Sequence, residues 1–347
     1  MDPAVFMEAN LRRWQFWLGL VISALLLWLA LRGLKLGDVW ASLREANYWW
    51  ILPGIAVYFL AVLARAWRWH YLLRPVKPIS TTTMFPVVAI GYMGNNVYPA
   101  RAGEVLRAYV LRRREGVSMS ASLATIVVER AFDGVVMLAF IFLNLPELAR
   151  VTSASAVASS LRTVAVWGTV VFMAAVILFL VMAIFPEHAE RTIELVLKRV
   201  APVSIHDRVM ALVSRFISGL AALRSPGDVA MVLVTSTVIW LLETGKYWFV
   251  MHAFPFSVSF FALMLMNGIV NLATTIPSAP GYVGTFDAPG IAVLGAYGIP
   301  TATAAGYTLV LHAALWLPIT LLGAFYFARE SLSWDRLRAE MSREGLA

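Results

Sequence analysis

The sequence predicts an all-α, polytopic membrane protein with about six full spans and two re-entrant helical hairpins, arranged as two inverted-topology repeats. Three observations support this fold class. First, 60% of the 347 residues are hydrophobic and only 14% are charged, whereas a soluble domain carries about 25% charged residues. Second, apolar runs of membrane-spanning length recur along the chain, whose mean hydropathy is +0.76. Third, two stretches broken by Gly and Pro lie 178 residues apart.

The first half of the chain is predicted to contain three spans and one hairpin. The apolar run 14–31 is too long for the core of a signal peptide and no small-residue cleavage site follows it, so it is an uncleaved first span. Residues 49–73 form the second span and residues 118–145 the third. Between them, residues 81–98 have Gly and Pro breakers at both ends and suggest a re-entrant hairpin, and residues 101–114 form an amphipathic helix.

The second half contains the other predicted hairpin. The apolar run 260–276 leads into the stretch P-S-A-P-G-Y-V-G-T-F-D-A-P-G at residues 277–290. The whole chain, 1–347, is predicted to be a single transmembrane domain with internal repeats at about 49–145 and 228–328. The remaining predicted elements of this half are a Ser- and Ala-rich loop at 151–160, a span at 164–185, cytoplasmic surface helices at 187–224, and spans at 228–252 and 301–328.

The distribution of basic residues predicts the orientation. If the N-terminal arginines, the segments 65–77, 101–114 and 187–224, and the tail are cytoplasmic, 21 of the 28 Lys and Arg residues lie inside and five outside. Both termini are then cytoplasmic in a multi-pass protein of the cell membrane. The same bias accounts for the net charge of +8, so no nucleic acid partner is expected. The absence of cysteine excludes disulfides and thiolate metal sites.

The offset of 178 residues aligns polar positions as well as breaks. In the predicted topology the two copies cross the membrane in opposite directions. This is typical of inverted-repeat transporters, whose broken segments meet near the midplane and line the substrate site. The aligned positions are residues 99–103 with 277–281, Arg65 with Glu243, and Arg68 with Lys246.

Ionisable residues occur inside predicted spans. Glu129, Arg130 and Asp133 lie within the span 118–145, where a charge costs about 2.5–3.5 kcal/mol on insertion scales. Either Arg130 or a neighbouring helix neutralises the two acids, or the acids act as a general acid and base. Arg65 and Arg68 share one face of their helix, where the alternative to a functional role is snorkelling to the interface.

The break at residues 99–103 is flanked by charge. Arg101, Glu104 and Arg107 lie at the start of the helix that follows it, where free N–H groups and the positive helix dipole suit an anionic head group. Arginine adds bidentate phosphate binding. The arginine run 112–114 is either a solvated positive-inside cluster or a lipid site.

Enzyme motifs are missing from the sequence. It contains no G-x-S-x-G elbow, P-loop, H-E-x-x-H motif or Gly-rich dinucleotide fingerprint. The five histidines have no metal-ligand spacing and are interpreted as structural or interfacial. Neither a cofactor nor a metal is therefore expected.

Three motifs resemble those of the flippase-like family named after the transmembrane region of lysylphosphatidylglycerol synthases. They are N-V-Y-P-A-R-A-G-E-V-L-R at 96–107, E-R-A-F-D at 129–133 and P-S-A-P-G-Y-V-G-T-F-D at 277–287. The resemblance covers nearly the whole chain and implies movement of lipid across the bilayer. No aminoacyl-transferase domain is expected, so lipid lysylation is not implied. Tyr282 stands where the family usually has a second Gly, and Asp287 where it usually has Glu.

Together these features predict a translocase for a phospholipid or a polyprenyl-phosphate-linked lipid. The alternatives are a membrane-embedded glycosyl- or other transferase acting on a lipid-linked substrate, and a scaffold whose charges only lock helices together. A homo-oligomeric state stays open. The predicted substrate-binding residues are Arg65, Arg68, Asn96, Pro99, Arg101, Gly103, Glu104, Arg107, Glu129, Arg130, Asp133, Glu243, Lys246, Asn271, Pro277, Gly281, Gly284, Thr285 and Asp287.

Overall fold

A computed structural model describes most of the chain as a bundle of helices. The described residues are 3–32, 34–98, 101–144, 184–200, 225–276 and 278–330, with scattered positions within 170–182 and 209–223. Every secondary-structure element with defined bounds in these residues is a helix, so the all-α prediction is confirmed. Short 3₁₀ turns lie at Tyr48–Trp50 and Pro280–Tyr282. The α-helices are α1 (Pro3–Leu31), α2 (Leu36–Glu45), α3 (Ile51–Leu73), α4 (Thr81–Val97), α5 (Ala102–Glu115), α6 (Met119–Leu143), α7 (Pro186–Val200), α8 (Pro226–Met251), α9 (Phe260–Ala273), α10 (Asp287–Ala296) and α11 (Thr301–Arg329).

Several of these helices are long and apolar enough to cross a membrane. Within the described part of the chain three qualify, namely Tyr48–Leu73, Pro226–Met251 and Thr301–Arg329. Trp17–Leu31 and Leu36–Glu45, bent by 83° relative to each other, add a fourth if they form one broken span. The protein is therefore a membrane protein with several apolar helices, and the count of six spans remains a prediction. The predicted loop 151–160 and most of the predicted span 164–185 lie outside the described residues.

Four helices begin at a serine that caps them. The hydroxyls of Ser80, Ser118, Ser225 and Ser259 accept hydrogen bonds from the backbone N–H three residues later, at the starts of α4, α6, α8 and α9. These bonds satisfy donors that the first helical turn leaves free. Ser118 Oγ, for example, accepts from the N–H of Ala121 at 3.3 Å.

The centre of the bundle is the packing of α3 against α8. Gly54 of α3 faces α8, because a Cβ there would lie 3.2 Å from Val250 Cγ2. Gly245 of α8 faces α3, because a Cβ there would lie 3.5 Å from Val57 Cγ1. Small residues let membrane helices approach closely. On either side of this pair, α4 packs on α11 and α9 packs on α6.

The first hairpin consists of α4 and α5, so its bounds differ from the prediction. Residues 81–98 do not fold back on themselves, since α4 continues through Pro86 to Val97. The chain turns after Tyr98, and α5 packs back against α4. Gly91 and Gly94, which were predicted to break the helix, instead form the surface of α4 against which Gly103 of α5 packs.

We expect Gly103→Ala to disrupt this hairpin. A Cβ at Gly103 would lie 1.9 Å from the carbonyl oxygen of Gly91 and 2.4 Å from the backbone N of Asn95, and backbone atoms cannot move aside cheaply. Overpacking of this kind costs about 3 kcal/mol or more. The measurement is thermal unfolding in detergent. Gly37→Ala in α2 is the control, because nothing lies within 4 Å of its Cβ position. Equal melting temperatures for the two variants would contradict the close crossing.

The second hairpin consists of α9, the turn containing Pro280–Tyr282, and α10. α10 packs on both α9 and α11. The turn is fixed by Asp287, whose Oδ2 accepts a hydrogen bond of 2.9 Å from the N–H of Gly284. It is also fixed by α1, because Ser23 Oγ accepts a hydrogen bond of 2.8 Å from the N–H of Ala279.

Candidate functional site

A cavity that is open to solvent and lined by both polar and apolar groups lies where α3 and α8 meet the turns of the two hairpins and the middle of α11. Its lining combines charged, amide and aromatic side chains, which is typical of a site that binds a polar group beside an apolar one. The lining residues are Tyr58, Arg65, Tyr92, Asn95, Asn96, Arg101, Glu104, Arg130, Trp240, Glu243, Lys246, Asn271, Thr274, Gly281, Tyr282, Phe286, His312, Leu315 and Trp316.

A buried ion-pair group joins α3 to α8 at the cavity. Arg65 Nη1 lies 2.6 Å from Glu243 Oε1, and Lys246 forms an ion pair with the other carboxylate oxygen of Glu243. All three side chains are less than a tenth exposed. The guanidinium of Arg65 also lies 5.5 Å from the ring centre of Tyr92. Snorkelling to the interface, the alternative for Arg65, is therefore wrong.

A second charged group lies beside the first hairpin. Arg130 Nε lies 3.3 Å from Glu104 Oε1, and its Nη1 donates to Asp133 at 3.3 Å. Arg101 reaches the same Glu104 oxygen at 3.8 Å. Arg101 and Arg130 are each about a third exposed, so this group faces the open part of the cavity.

Beneath these groups, two bidentate arginine–carboxylate ion pairs are sealed from solvent. Arg68 donates to both carboxylate oxygens of Asp133, at 2.5 and 3.3 Å, and the indole N–H of Trp240 donates to the same carboxylate at 2.9 Å. Arg107 donates to both oxygens of Glu129, at 2.6 and 3.1 Å. Bidentate arginine bonds satisfy most of what a buried carboxylate needs. The snorkelling alternative is therefore wrong for Arg68 as well.

The charges do not cancel over the whole cluster. The sealed part balances, since Arg68 and Arg107 face Glu129 and Asp133. The cavity lining does not balance, because two acids, Glu104 and Glu243, face four cations. The cavity thus carries an excess of two positive charges. The four cations are Arg65, Arg101, Arg130 and Lys246.

Both hairpin turns place strained backbone at the cavity. Arg101 has φ of 54° and Tyr282 has φ of 61°, and among the described residues they are the non-glycine positions with positive φ. Such conformations cost about 1–3 kcal/mol and cluster at functional sites. α5 begins after Arg101 and α10 after Phe286, both in the cavity wall, and neither helix has a side-chain cap. The uncapped start of α5 favours an anion. At the start of α10 the N–H of Ala288 already donates to the carbonyl of Gly284.

His312 and Trp316 of α11 hold the two turns in place. His312 Nε2 donates to the carbonyl of Gly281 at 2.7 Å, and its Nδ1 lies 2.8 Å from Asp287 Oδ1. Trp316 Nε1 donates to the carbonyl of Asn96 at 3.3 Å, while Asn96 Nδ2 donates to the carbonyl of Trp316 at 3.3 Å. α11 is therefore the element that connects both hairpins.

The predicted site residues fall into four groups. The cavity wall contains Arg65, Asn96, Arg101, Glu104, Arg130, Glu243, Lys246, Asn271 and Gly281. The sealed ion pairs contain Arg68, Arg107, Glu129 and Asp133. Gly103 lies at the crossing of α4 and α5, and Gly284, Thr285 and Asp287 lie in or next to the second turn. None of these four residues lines the cavity. Pro99 and Pro277 lie outside the described residues.

Sequence reasoning missed the aromatic part of the wall. Aromatic residues are abundant in any membrane protein, so composition could not single these out. His312 was predicted to be structural or interfacial, and its hydrogen bonds place it between the second turn and the cavity. The missed lining residues are Tyr58, Tyr92, Asn95, Trp240, Thr274, Tyr282, Phe286, His312, Leu315 and Trp316.

Known proteins resemble the chain over most of its length. It matches the family described as the lysylphosphatidylglycerol synthase TM region over residues 16–323. It is 26% identical over 331 residues to glycosyltransferase AglD of Haloferax volcanii, a match covering 88% of this chain and 52% of that protein. The chain thus spans about half the length of that relative. It is 23% identical over 327 residues to a UPF0104 membrane protein of Methanothermobacter thermautotrophicus, covering 88% of this chain and 90% of the relative.

A third relative is UPF0104 membrane protein MJ1078 of Methanocaldococcus jannaschii, which is 23% identical over 233 residues, covering 67% of this chain and 92% of the relative. The matched range 16–323 includes every residue that lines the cavity. The family resemblance carried by the three sequence motifs is therefore confirmed. This chain belongs to the family of the lysylphosphatidylglycerol synthase transmembrane region.

Proposed function

We propose that this protein is a flippase-like lipid translocase of the cell membrane, which moves a phospholipid or polyprenyl-phosphate-linked lipid between leaflets. The observation that carries the proposal is the cavity with two excess positive charges inside a bundle of membrane helices. Burying uncompensated charge in a membrane is costly, so a cavity of this kind is expected to receive an anionic group. The head group crosses through the cavity while the tails stay in lipid.

The two halves of the bundle are proposed to be inverted repeats. An offset of 178 residues brings the helix Tyr48–Leu73 onto Pro226–Met251, residue for residue at both ends. The same offset relates Arg65 to Glu243, and these two residues contact each other at 2.6 Å. A residue contacts its own counterpart only where it lies near the axis that relates the two copies. This contact therefore supports a two-fold axis between α3 and α8.

A second pair of contacts supports the same axis. Arg68 Nη1 donates to Ser236 Oγ at 2.8 Å. Under the 178-residue offset, Arg68 corresponds to Lys246 and Ser236 to Tyr58. The Nζ of Lys246 lies 4.5 Å from the ring centre of Tyr58. In a two-fold arrangement, a contact between one position of the first copy and another position of the second copy is matched by the same contact with the two copies interchanged. The Arg68–Ser236 and Lys246–Tyr58 contacts are related in this way.

In the proposed mechanism, cations of the cavity wall hold the phosphate. Arg65, Arg101 and Arg130 offer guanidinium donors, and Lys246 offers a point charge. The uncapped start of α5 adds the positive end of a helix dipole. Inverted repeats expose such a site alternately to the two sides by rocking around it. The sealed ion pairs below the cavity keep the supporting helices rigid.

The proposed orientation has its own test. Because basic residues concentrate on one side, both termini are expected to be cytoplasmic and the loop 151–160 external. The native chain has no Cys, so Ser155→Cys and Ser333→Cys can each be labelled alone with a membrane-impermeant thiol reagent. We expect labelling of intact cells at position 155 only. Labelling at 333 without labelling at 155 would invert the scheme.

The translocase proposal is tested with purified protein in proteoliposomes. Fluorescent phospholipid or prenyl-phosphate lipid is placed in both leaflets, and the fraction accessible to an external quencher is followed over time. We expect the protein to increase the rate at which inner-leaflet lipid becomes accessible. Protein-free vesicles give the background. Wild-type protein that moves neither lipid would contradict the proposal. If it also transfers no sugar, the scaffold alternative remains, in which the charges only hold helices together.

A membrane-embedded transferase is the second candidate, and the glycosyltransferase name of one relative favours it. A transferase needs an acid free to act as a base beside an aqueous donor site. Both acids of the cavity wall are held by cations, Glu243 by Arg65 and Lys246, and Glu104 by Arg130 and Arg101. This engagement weighs against catalysis. An assay for sugar transfer from nucleotide sugars to a lipid phosphate, run beside the translocation assay, separates the two.

A further inference from the structure

We propose that the cavity selects a lipid that ends in a phosphomonoester, a head group with two negative charges, over the singly charged phosphodiester of an ordinary phospholipid. This inference rests on the proposed function and narrows its substrate. It starts from the charge of the wall, where four cations face two acids. A group with two negative charges brings this wall to neutrality, whereas a phosphodiester leaves one cation uncompensated.

His312 does not change this balance, although it lines the cavity. Its Nε2 donates to the carbonyl of Gly281 and its Nδ1 faces Asp287 Oδ1 at 2.8 Å. If the shared proton lies on the imidazole, the pair is a cation beside an anion; if it lies on the carboxylate, both are neutral. Either way the His312–Asp287 pair contributes no net charge to the wall.

Two guanidinium donors of the cavity wall, the Nε–H groups of Arg65 and Arg130, have no hydrogen-bond partner among the described residues. The same is true of the Nε–H groups of the sealed Arg68 and Arg107. Arg65 uses Nη1 on Glu243, and its side chain is only 8% exposed, so water does not readily satisfy its Nε–H. A buried donor that lacks a partner is costly, and a bound acceptor removes the cost. A phosphomonoester has three terminal oxygens and can accept from Arg65 as well as from the cations near Glu104.

Two further features favour a phosphate carried by a lipid over free phosphate. The wall also contains the aromatic side chains of Trp240, Phe286 and Trp316 and the aliphatic Leu315. Such a surface binds apolar chain next to the head group rather than a hydrated ion. In addition, the neighbouring helices α3, α8 and α11 are the apolar membrane helices, so a tail can remain in lipid while the head group is bound.

The test compares two probes that differ by one charge. Farnesyl phosphate is a monoester that carries close to two negative charges at pH 7.5, because the second pKa of a phosphomonoester is about 6. Its methyl ester is a diester with the same tail and one charge. Binding to the purified full-length protein in detergent is measured by isothermal titration calorimetry. We expect the monoester to bind at least about tenfold more tightly, since it gains one more charged hydrogen bond.

Two variants shift the charge of the wall in opposite directions. Arg101→Asn removes one cation and keeps a residue type that tolerates positive φ, so the preference for the monoester should fall about tenfold. Glu104→Gln removes one acid and should increase that preference. Arg113→Asn, at an exposed arginine of α5 outside the cavity, should leave both affinities unchanged. Didecanoyl phosphatidate is a monoester with acyl tails and tests whether a prenyl tail is needed. An affinity comparable to that of farnesyl phosphate would support the wider class of lipid monoesters.

Equal binding of the monoester and its methyl ester would overturn the inference. So would inorganic phosphate binding as tightly as farnesyl phosphate, because the ligand would then be a free anion. These measurements need no lipid movement and are therefore independent of the translocation assay. Selective binding without translocation would overturn the proposed function alone, and translocation without a preference for the monoester would overturn this inference alone.

Discussion

Replacing Arg68 by Met is expected to lower the free energy of unfolding by about 3–5 kcal/mol. Arg68 is fully buried and donates to both carboxylate oxygens of Asp133, and its Nη2 lies 3.6 Å from Glu129. Its loss leaves Asp133 with Trp240 and a long bond from the partly exposed Arg130. A buried carboxylate without its main partner is far more costly than the absence of the whole pair.

The measurement is thermal unfolding in detergent, with folded yield by size exclusion. Adding Asp133→Asn to Arg68→Met should recover part of the loss, because it removes the charge that has lost its partner. Lys77→Met is the matched control, since Lys77 pairs with Glu115 but is 45% exposed, and surface ion pairs contribute about 1 kcal/mol or less. If Arg68→Met melts no lower than Lys77→Met, the pair is accessible to water.

Arg101→Asn is expected to lower the rate of lipid movement in proteoliposomes by at least about tenfold while leaving the fold intact. Arg101 is about a third exposed in the cavity wall, and its ion pair with Glu104 is long, at 3.8 Å. It therefore contributes little to stability and can contact a head group. Asn is chosen because it accepts the φ of 54° at this position, which would strain an alanine.

Two companion variants make this test specific. Arg101→Lys should restore only part of the rate, because an ammonium keeps the charge but cannot bind phosphate in two places. Arg113→Asn, exposed on the same helix, should move lipid like the wild type. A normal rate for Arg101→Asn, with an unchanged melting temperature, would remove Arg101 from the head-group site.

The structure assigns Arg107 a different place from the one its sequence suggests. Arg101 and Arg107 both flank the first break and were both predicted to hold phosphate. Arg107 lies on the inner face of α5, where it donates twice to Glu129 and stacks 3.6 Å from the ring centre of Trp69. With its Nη groups engaged and its side chain 6% exposed, Arg107 supports the fold beneath the cavity.

Glu129 and Asp133 are neutralised mainly by arginines from other helices and less by Arg130 of their own helix. Arg130, the nearest cation in sequence, contacts Asp133 at 3.3 Å but lies partly in the open cavity. The main partners are Arg68 and Arg107, which come from α3 and α5. Glu129 and Asp133 are buried where α6 packs against α3 and α5, so their main partners come from those two helices.

The membrane class, the helical content and the charged motifs that frame both turns could be predicted from the amino-acid sequence. These follow from local properties: apolar run length, Ser caps, Gly and Pro breaks, and an offset that can be counted along the chain. Nine of the predicted site residues line the cavity, because charges and amides next to a break in an apolar helix have few other places to lie.

The packing of the helices determines which charges pair with each other and which face the cavity. Arg65 and Glu243 are 178 residues apart, and Arg68 and Asp133 are 65 apart. Their contact depends on how closely α3, α6 and α8 approach, which is set by small residues such as Gly54 at the crossings. Sliding one helix along its neighbour by one turn would move each of its side chains by about 5.4 Å, which is enough to break these ion pairs. The excess of positive charge in the cavity is therefore a property of the packed helices, and composition could not predict it.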